Sequence, residues 1–330
     1  MVSGRVKHTS EELRQWQALP LNIKVEMTKA RIRAWVKEYG EYGVYVSFSG
    51  GKDSTVLLHI VREEFPDVPA VYCDTGLEFP ELREFVKTFD NVVWLKPKKN
   101  FRQVIEEYGY PFISKEIAMK VYECRTTESR GKESYARKQF EGNYVSKNGK
   151  TNAYSITKWK FLLDAPFKIS HRCCNIFKKE PSKRYEKETG RYAMLAQMAE
   201  ESKLRRQMWL KDGCNGFEKK RPTSNPMAFW TEQDVLRYIK ENNISIASVY
   251  GEIIEDPDGK LHTTGCDRTG CIFCGFGCHL EKTEKSKFQR LKETHPKIYE
   301  YIMKPTEKGG LGYRKIIDWL NEHGNLNIRY

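Results

Sequence analysis

Apolar positions in the first hundred residues switch between a helical period and short continuous runs. Between residues 10 and 39, Ile23, Met27, Ala30 and Ala34 recur at spacings of four, three and four, which predicts helix up to Gly40. Gly43-Val44-Tyr45-Val46-Ser47-Phe48 then reads as a buried strand, followed by a polar loop over 49–54 and an apolar-rich helix from Thr55 to Phe65, stopped by Pro66. Ala70-Val71-Tyr72-Cys73 predicts a second strand running into Asp74-Thr75-Gly76, with a helix from Pro80 to Phe89 and a third strand from Asn91 to Leu95. This strand–loop–helix repetition predicts an α/β fold with a doubly wound parallel sheet, whose ligands lie beyond the carboxyl ends of the strands.

Further along, the stretch 125–160 has little apolar periodicity and reads as an insertion or mobile loop. Tyr192 to Met198 is a strand candidate, and Thr231 to Asn242 a helix capped by Thr231 with Asp234 three residues on. From Thr263 the composition shifts to a Gly/Cys knot, then to amphipathic helices around 281–303 and 312–323. The expected division is an N-terminal helical segment (1–40), a nucleotide-binding domain (41–245) with a basic insertion (120–160), and a small Cys-rich helical C-terminal region (246–330).

A chain of 330 residues with 39% hydrophobic and 12% aromatic content is expected to fold around a sizeable core. Met1 to Thr9 is polar, and no run approaches the roughly 18 apolar residues of a membrane span, so the expectation is a cytoplasmic protein with no membrane partner. Net charge is +13, which points toward polyanions. Between Lys120 and Lys160, ten Lys and Arg stand against four Glu, interleaved with Tyr122, Tyr135, Phe140, Tyr144, Tyr154 and Trp159. Such a mixture suits RNA or DNA, because cations grip phosphates while aromatic faces stack on bases. The alternative is a basic surface that simply faces water.

Ser49-Gly50-Gly51-Lys52-Asp53-Ser54 sits between a predicted strand and helix, the setting that gives a Gly-rich motif meaning. Its glycines let backbone N–H groups approach phosphate oxygens, and the following helix offers its positive end. Ser49 and Ser54 can donate hydroxyl hydrogen bonds, and Lys52 supplies a cation. Asp53 fits such a loop if it orients an amide or holds Mg²⁺ against the phosphates.

On these residues the chain resembles the PP-loop ATP pyrophosphatases, whose signature is Ser-Gly-Gly-x-Asp-Ser, and within them the phosphoadenylyl-sulfate (PAPS) reductase family. Asp74-Thr75-Gly76-Leu77-Glu78-Phe79-Pro80-Glu81 is similar to that family's second motif, where the adenosine lies. A third match is Ala196 to Arg205, similar to Gly-x-Arg-x-x-Glu-Ser-x-x-Arg: Glu201, Ser202 and Arg205 fit, while Ala196 and Met198 replace the Gly and first Arg. The resemblance implies an adenine nucleotide alpha-hydrolase-like fold. It also implies ATP or a sulfonucleotide at Ser49, Gly50, Gly51, Lys52, Asp53, Ser54, Asp74, Thr75, Gly76, Glu201 and Ser202, with Lys52, Asp53 and Arg205 serving catalysis. The family's chemistry is either adenylation with pyrophosphate release and sulfur transfer, which would call for a sulfur-donor protein, or sulfonucleotide reduction. A nucleotide-gated nucleic-acid-binding protein is the non-enzymatic alternative.

Nine Cys in a cytoplasmic chain point to metal or redox chemistry rather than disulfides. Cys173-Cys174 are adjacent, and Cys266, Cys271, Cys274 and Cys278 follow much later, with Cys271-x-x-Cys274 able to reach one metal. The pattern resembles the adenylyl-sulfate reductase branch, which implies that Cys173, Cys174, Cys271 and Cys274 hold a 4Fe–4S cluster, with Cys266 in reserve. A zinc site of Cys266, Cys271, Cys274 and Cys278, or unligated thiols, are the alternatives. Reductases of this family carry their nucleophile in a C-terminal Cys-Gly-Leu/Ile-His segment. Gly277-Cys278-His279-Leu280 is a scrambled echo of it, leaving Cys278 as the candidate nucleophile. His171, beside the Cys pair, reads as a supporting donor, an anion contact or a structural residue.

Overall fold

The computed structural model describes residues 7–132, 134–146, 148–152 and 154–330, so most of the polar Met1–Thr9 segment lies outside the described residues. Two compact units interleave along the chain: one carries residues up to Pro97 and then Glu180–Gly270, the other Lys98–Lys179 and Cys271–Tyr330.

The first unit opens with two helices, α1 (Ser10–Gln17) and α2 (Leu21–Tyr39), where the periodicity suggested one. Pro20 cannot donate the hydrogen bond that a continuous helix needs there, so the chain breaks and restarts. The sheet follows: β1 (Val44–Phe48), α3 (Lys52–Glu64), β2 (Ala70–Cys73), α4 (Pro80–Val86) and β3 (Val92–Leu95). After α5 (Glu180–Thr189) come β4 (Tyr192–Met194), α6 (Lys203–Asp212), β5 (Asn215–Gly216), β6 (Thr223–Ser224), α7 (Glu232–Glu241) and a hairpin of β7 (Ile253–Glu255) and β8 (Leu261–Thr263). The six strands lie in the order β3-β2-β1-β4-β6-β5, all parallel except β5, which runs antiparallel to β6.

Alternate residues of β1 serve opposite faces. Val44, Val46 and Phe48 enter the core shared with Trp35 of α2 and Val56, Leu57 and Ile60 of α3. Tyr45 packs on the other face with Val71, Ala193 and Tyr185 of α5. Helices therefore cover both faces, which is why the strands are apolar throughout rather than alternating. A buried ion pair ties α2 to α7: Lys24, 2% exposed, donates to Asp234 Oδ2 at 2.7 Å and to the Gln17 carbonyl at 2.6 Å. Thr231 caps α7 through the expected capping box with Asp234.

The second unit is mainly helical: Phe101–Glu107, Lys115–Glu128, Tyr135–Glu141, Lys287–Thr294, Pro296–Met303 and Tyr313–Gly324. A short parallel pair joins Phe112–Ile113 to Gly275–Phe276. The stretch 125–160, expected as an insertion or mobile loop, contains the helix Tyr135–Glu141 and a 3₁₀ segment, Thr157–Asp164. Arg125 organises it by donating to the carbonyls of Leu162, Leu163, Ala165 and Phe167. The basic count of 120–160 therefore overstates the free charge: Arg125 serves the fold, Arg137 is paired with Glu128 and Lys120 with Glu116. Among the described residues no helix is long and apolar enough to cross a membrane.

Candidate functional site

Strand β1 is flanked by β2 on one side and β4 on the other, so the chain crosses over at its carboxyl end. Open α/β sheets bind ligands at such a point, and Ser49 to Ser54 occupy it. Gly50 adopts φ +72°, and a Cβ there would sit 2.8 Å from Val86 Cγ2 and 3.1 Å from the Leu82 carbonyl of α4. Only glycine fits both the conformation and the space. Helix α3 starts at Lys52, three residues earlier than expected, and brings Asp53 and Ser54 into its first turn.

The loop is held by its own serines. The Ser49 N–H donates to Ser54 Oγ at 3.1 Å, the two hydroxyls lie 3.1 Å apart, and the Gly51 N–H donates to Ser49 Oγ at 3.3 Å. Ser54 Oγ also donates to the Gly51 carbonyl at 2.9 Å. Among the described residues, the N–H groups of Gly50, Asp53 and Ser54 have no protein acceptor. First-turn amides of this kind are what an anion at a helix N-terminus uses.

Lys52 is 4% exposed, and its Nζ lies 3.1 Å from Glu232 Oε1, 3.4 Å from Asp53 Oδ1 and 3.2 Å from the Asp267 carbonyl. Burial works against its charge, but Asp53 and Glu232 outweigh it and hold the pKa above the ordinary lysine value. Its main-chain N–H donates to the Tyr250 hydroxyl at 3.2 Å, and that hydroxyl lies 3.1 Å from Thr269 Oγ1. Asp53 Oδ1 is buried without a hydrogen-bond donor. The sequence reading missed Glu232, Tyr250, Asp267 and Arg268, which lie outside the phosphate loop and the 74–81 and 196–205 segments and carried no signal for this site.

Glu201 accepts from the Met198 N–H at 2.9 Å through Oε1, while its Oε2 meets Arg205 and Arg268, the latter at 2.6 Å. Burial lowers the pKa of Arg205, Arg268 lowers it further, and Asp53 opposes both. Ser202 is the N-cap of α6 and accepts from the Arg205 N–H at 3.2 Å. The strand expected over Tyr192–Met198 ends at Met194, and the remainder leads into this turn.

After β2, Asp74 Oδ2 lies 3.1 Å from the Arg83 guanidinium. Thr75 Oγ1 donates to Glu78 at 2.6 Å and accepts from the Leu77 N–H, and Gly76 takes φ +69°. Arg83, Glu78 and the Leu77 N–H thus hold this turn.

The cysteines belong to the second unit, except Cys73, Cys214 and Cys266 in the first. All nine are free. The Cys173 thiol is raised by its bond to Cys174, then by burial and by Cys174, Cys274 and Cys271 together. Cys174 is held low as a thiolate by Cys173, against burial and with help from Lys115 and Lys178. Cys271 and Cys274, from a distant segment, thus contribute to the shift at Cys173. Lys287 Nζ donates to the carbonyls of Cys271 and Cys274 at 2.7 and 2.8 Å, and the Tyr313 hydroxyl donates to Phe273 at 2.5 Å. The turn from 271 to 274 is thereby fixed.

Among the described residues, no group of three or more His, Cys, Asp or Glu side chains is gathered closely enough for one metal ion. Cys278 does not suit attack: buried, its pKa pushed up to about 12 chiefly by desolvation, it donates its S–H to the Gly275 carbonyl at 2.9 Å. A nucleophile needs an accessible thiolate. His171 has its pKa lowered by burial and by Arg172, which favours a neutral ring over an anion contact.

With this geometry in place, comparison with known proteins is informative. The family profile described as phosphoadenosine phosphosulfate reductase domain matches residues 43–127 and 90–275. An uncharacterized protein of Methanocaldococcus jannaschii is 24% identical over 287 residues, 84% of this chain and 52% of that protein. A phosphoadenosine 5'-phosphosulfate reductase of Photorhabdus laumondii is 38% identical over 88 residues, 26% of this chain and 35% of that enzyme. The enzyme of the same name from Xanthomonas axonopodis is 38% identical over 66 residues, 20% of this chain and 27% of that enzyme. The chain thus spans about half the length of the first relative and about a third or less of the reductases. A crystal structure of PAPS reductase from Candida auris, a phosphate complex, aligns at TM-score 0.39 and 15% identity over 77% of this chain and 98% of that one. Since the profile runs from β1 through the loop and the arginine turn to the Cys271–Cys274 turn, the chain belongs to the phosphoadenosine phosphosulfate reductase domain family.

Proposed function

We propose that the chain binds ATP at Ser49–Ser54 and adenylates an acceptor with release of pyrophosphate, as the first half of a sulfur transfer. The observation that carries this reading is the junction of β1 and α3. Three unpartnered amides, a lysine kept charged and a carboxylate oxygen without a donor meet there. In the reaction an acceptor oxygen attacks the α-phosphorus, and the bond to the pyrophosphate oxygen breaks. The amides of Gly50, Asp53 and Ser54 and the Lys52 ammonium stabilise the leaving charge. Asp53 Oδ1 is the atom that would hold Mg²⁺, which when bound offsets charge on the phosphates. Asp74, Thr75 and Gly76 form the rim for the adenosine, and Ser202 and Glu201 fix Arg205 as the further cation.

Cys173, Cys174, Cys271 and Cys274 are the residues that would hold a 4Fe–4S cluster, which when bound supplies a thiolate-ligated redox centre. A reducing, cytoplasmic setting suits nine cysteines that form no disulfide among the described residues. The acceptor in this reading is a nucleic acid, drawn by the net charge of +13. A sulfur-donor protein completes the transfer.

Sulfonucleotide reduction is the second reading, favoured by the similarity to two proteins named as reductases. The test is direct. Anaerobically purified protein is given ATP, with and without RNA or DNA, and pyrophosphate is measured. Sulfite is measured in parallel from phosphoadenylyl sulfate. Pyrophosphate without sulfite supports adenylation; sulfite alone overturns it in favour of reduction.

A further inference from the structure

Arg205 and Arg268 come from separate segments and converge on one atom, Glu201 Oε2. The other oxygen of that carboxylate is committed to the Met198 N–H. Each guanidinium carries five N–H donors, and among the described residues each side chain spends them on Glu201 alone. Placing two cations side by side is unfavourable unless something else shares the charge. Glu201 provides one negative charge for both. Asp53, the other carboxylate that acts on Arg205, already faces the Lys52 ammonium at 3.4 Å.

The position of Arg268 is set by its neighbours on both sides. The Asp267 carbonyl accepts from Lys52 Nζ at 3.2 Å, and the Thr269 hydroxyl meets the Tyr250 hydroxyl, which accepts the Lys52 N–H. Residues 267–269 thus strap across the start of α3 and carry Arg268 to the phosphate loop. Within 196–205 the position of Met198 offers no cation, so the second positive group arrives from elsewhere in the chain.

We propose that Arg268 and Arg205, spaced by Glu201, form a two-cation seat for a tetrahedral oxyanion, phosphate or sulfate, on the nucleotide held by the loop. The seat rests on the nucleotide reading of residues 49–54 and adds to it a specificity residue outside the segments 49–54, 74–81 and 196–205. Planar forks with spare donors suit an oxyanion better than a lysine would. Arg268 is 65% exposed, so its replacement leaves the core intact.

The experiment is calorimetric titration of the full-length wild type, Arg268→Ala and Arg268→Lys with ATP, phosphoadenylyl sulfate, adenosine and inorganic sulfate. Thermal unfolding of each variant serves as the control for folding. The expected result is a loss of about tenfold or more for ATP, phosphoadenylyl sulfate or both in Arg268→Ala, the order of one charge-assisted contact. Adenosine affinity stays unchanged, and Arg268→Lys recovers part of the loss. A loss confined to ATP assigns the seat to phosphate, and one confined to phosphoadenylyl sulfate assigns it to sulfate. Equal nucleotide affinities in wild type and Arg268→Ala would overturn the seat and leave the loop reading standing. If the wild type binds neither nucleotide, the loop reading fails. In that case sulfate binding that Arg268→Ala abolishes still supports the seat, and no sulfate binding overturns it.

Discussion

Two buried lysines, one in each unit, are kept in different ways. Lys52 meets the carboxylates of Asp53 and Glu232, which hold its pKa above the usual lysine value despite burial. Among the described residues Lys287 Nζ has only the carbonyls of Cys271 and Cys274 at hydrogen-bond distance, and burial lowers its pKa while the neighbouring thiols and Glu281 pull the other way. A buried cation costs several kcal/mol unless it is paired. The loop lysine carries its counter-charge with it in the folded chain. The lysine of the cysteine turn meets neutral carbonyls at hydrogen-bond distance, and its compensation grows as the neighbouring sulfurs ionise. One lysine is paired with carboxylates within the folded chain; the other is held by carbonyls.

That contrast can be broken first at the loop. Lys52→Ala should lower pyrophosphate release from ATP by about 10²–10³-fold, the range for losing one preorganised group on developing charge. Steady-state rates at saturating ATP check this, and a change below fivefold would remove Lys52 from the chemistry. At the cysteine turn, Lys287→Met should act on stability and cluster content instead. It strips a donor from two carbonyls, which costs roughly 2 kcal/mol, and it should reduce the absorbance near 400 nm per protein chain. Chemical denaturation and iron analysis measure both. An unchanged iron content would separate the lysine from the cluster. Gly50→Ala should destabilise the protein by about 1–3 kcal/mol, because an alanine must hold φ +72° beside Val86. A mutant as stable as the wild type would show that the loop relaxes freely.

The smallest expected effects are on pH dependence, and the units differ in sign. Glu200, in the first unit, has its pKa raised chiefly by burial, against the N–H of Glu232. It binds its proton more tightly folded than unfolded, so its contribution is present below about 4.5 and lost as pH rises through its elevated value. His279, in the second unit, is lowered by burial and by Lys158. Its contribution is present above about 6.5 and lost as pH falls through its depressed value. Denaturation midpoints across pH 4 to 8, with Glu200→Gln and His279→Asn as controls, should show each slope flattening separately.

The loop, the strands around it and the capped helix at Thr231 could be read along the chain, because each depends on neighbours within a few residues. Ser49, Gly50, Gly51, Lys52, Asp53 and Ser54 are contiguous, and their chemistry is mostly backbone amides placed by a strand and a helix. The same reading counted ten cations between 120 and 160 but could not tell which were committed. Arg125 spends its charge on four carbonyls as many as 42 residues away. It also offered Cys278 as a nucleophile without sight of its burial or its bond to the Gly275 carbonyl, both of which disfavour the thiolate.

Periodicity and motif by themselves determined a doubly wound sheet, a phosphate-cradling junction and a set of clustered cysteines, since short-range sterics and hydrophobic burial are written in adjacent residues. Only the tertiary structure decided which distant groups complete each site: Glu232 and Tyr250 on Lys52, Arg268 on Glu201, Lys287 on the turn between Cys271 and Cys274. These are long-range electrostatic and hydrogen-bonding choices. They depend on which segments the folded core brings side by side, and no local pattern encodes that.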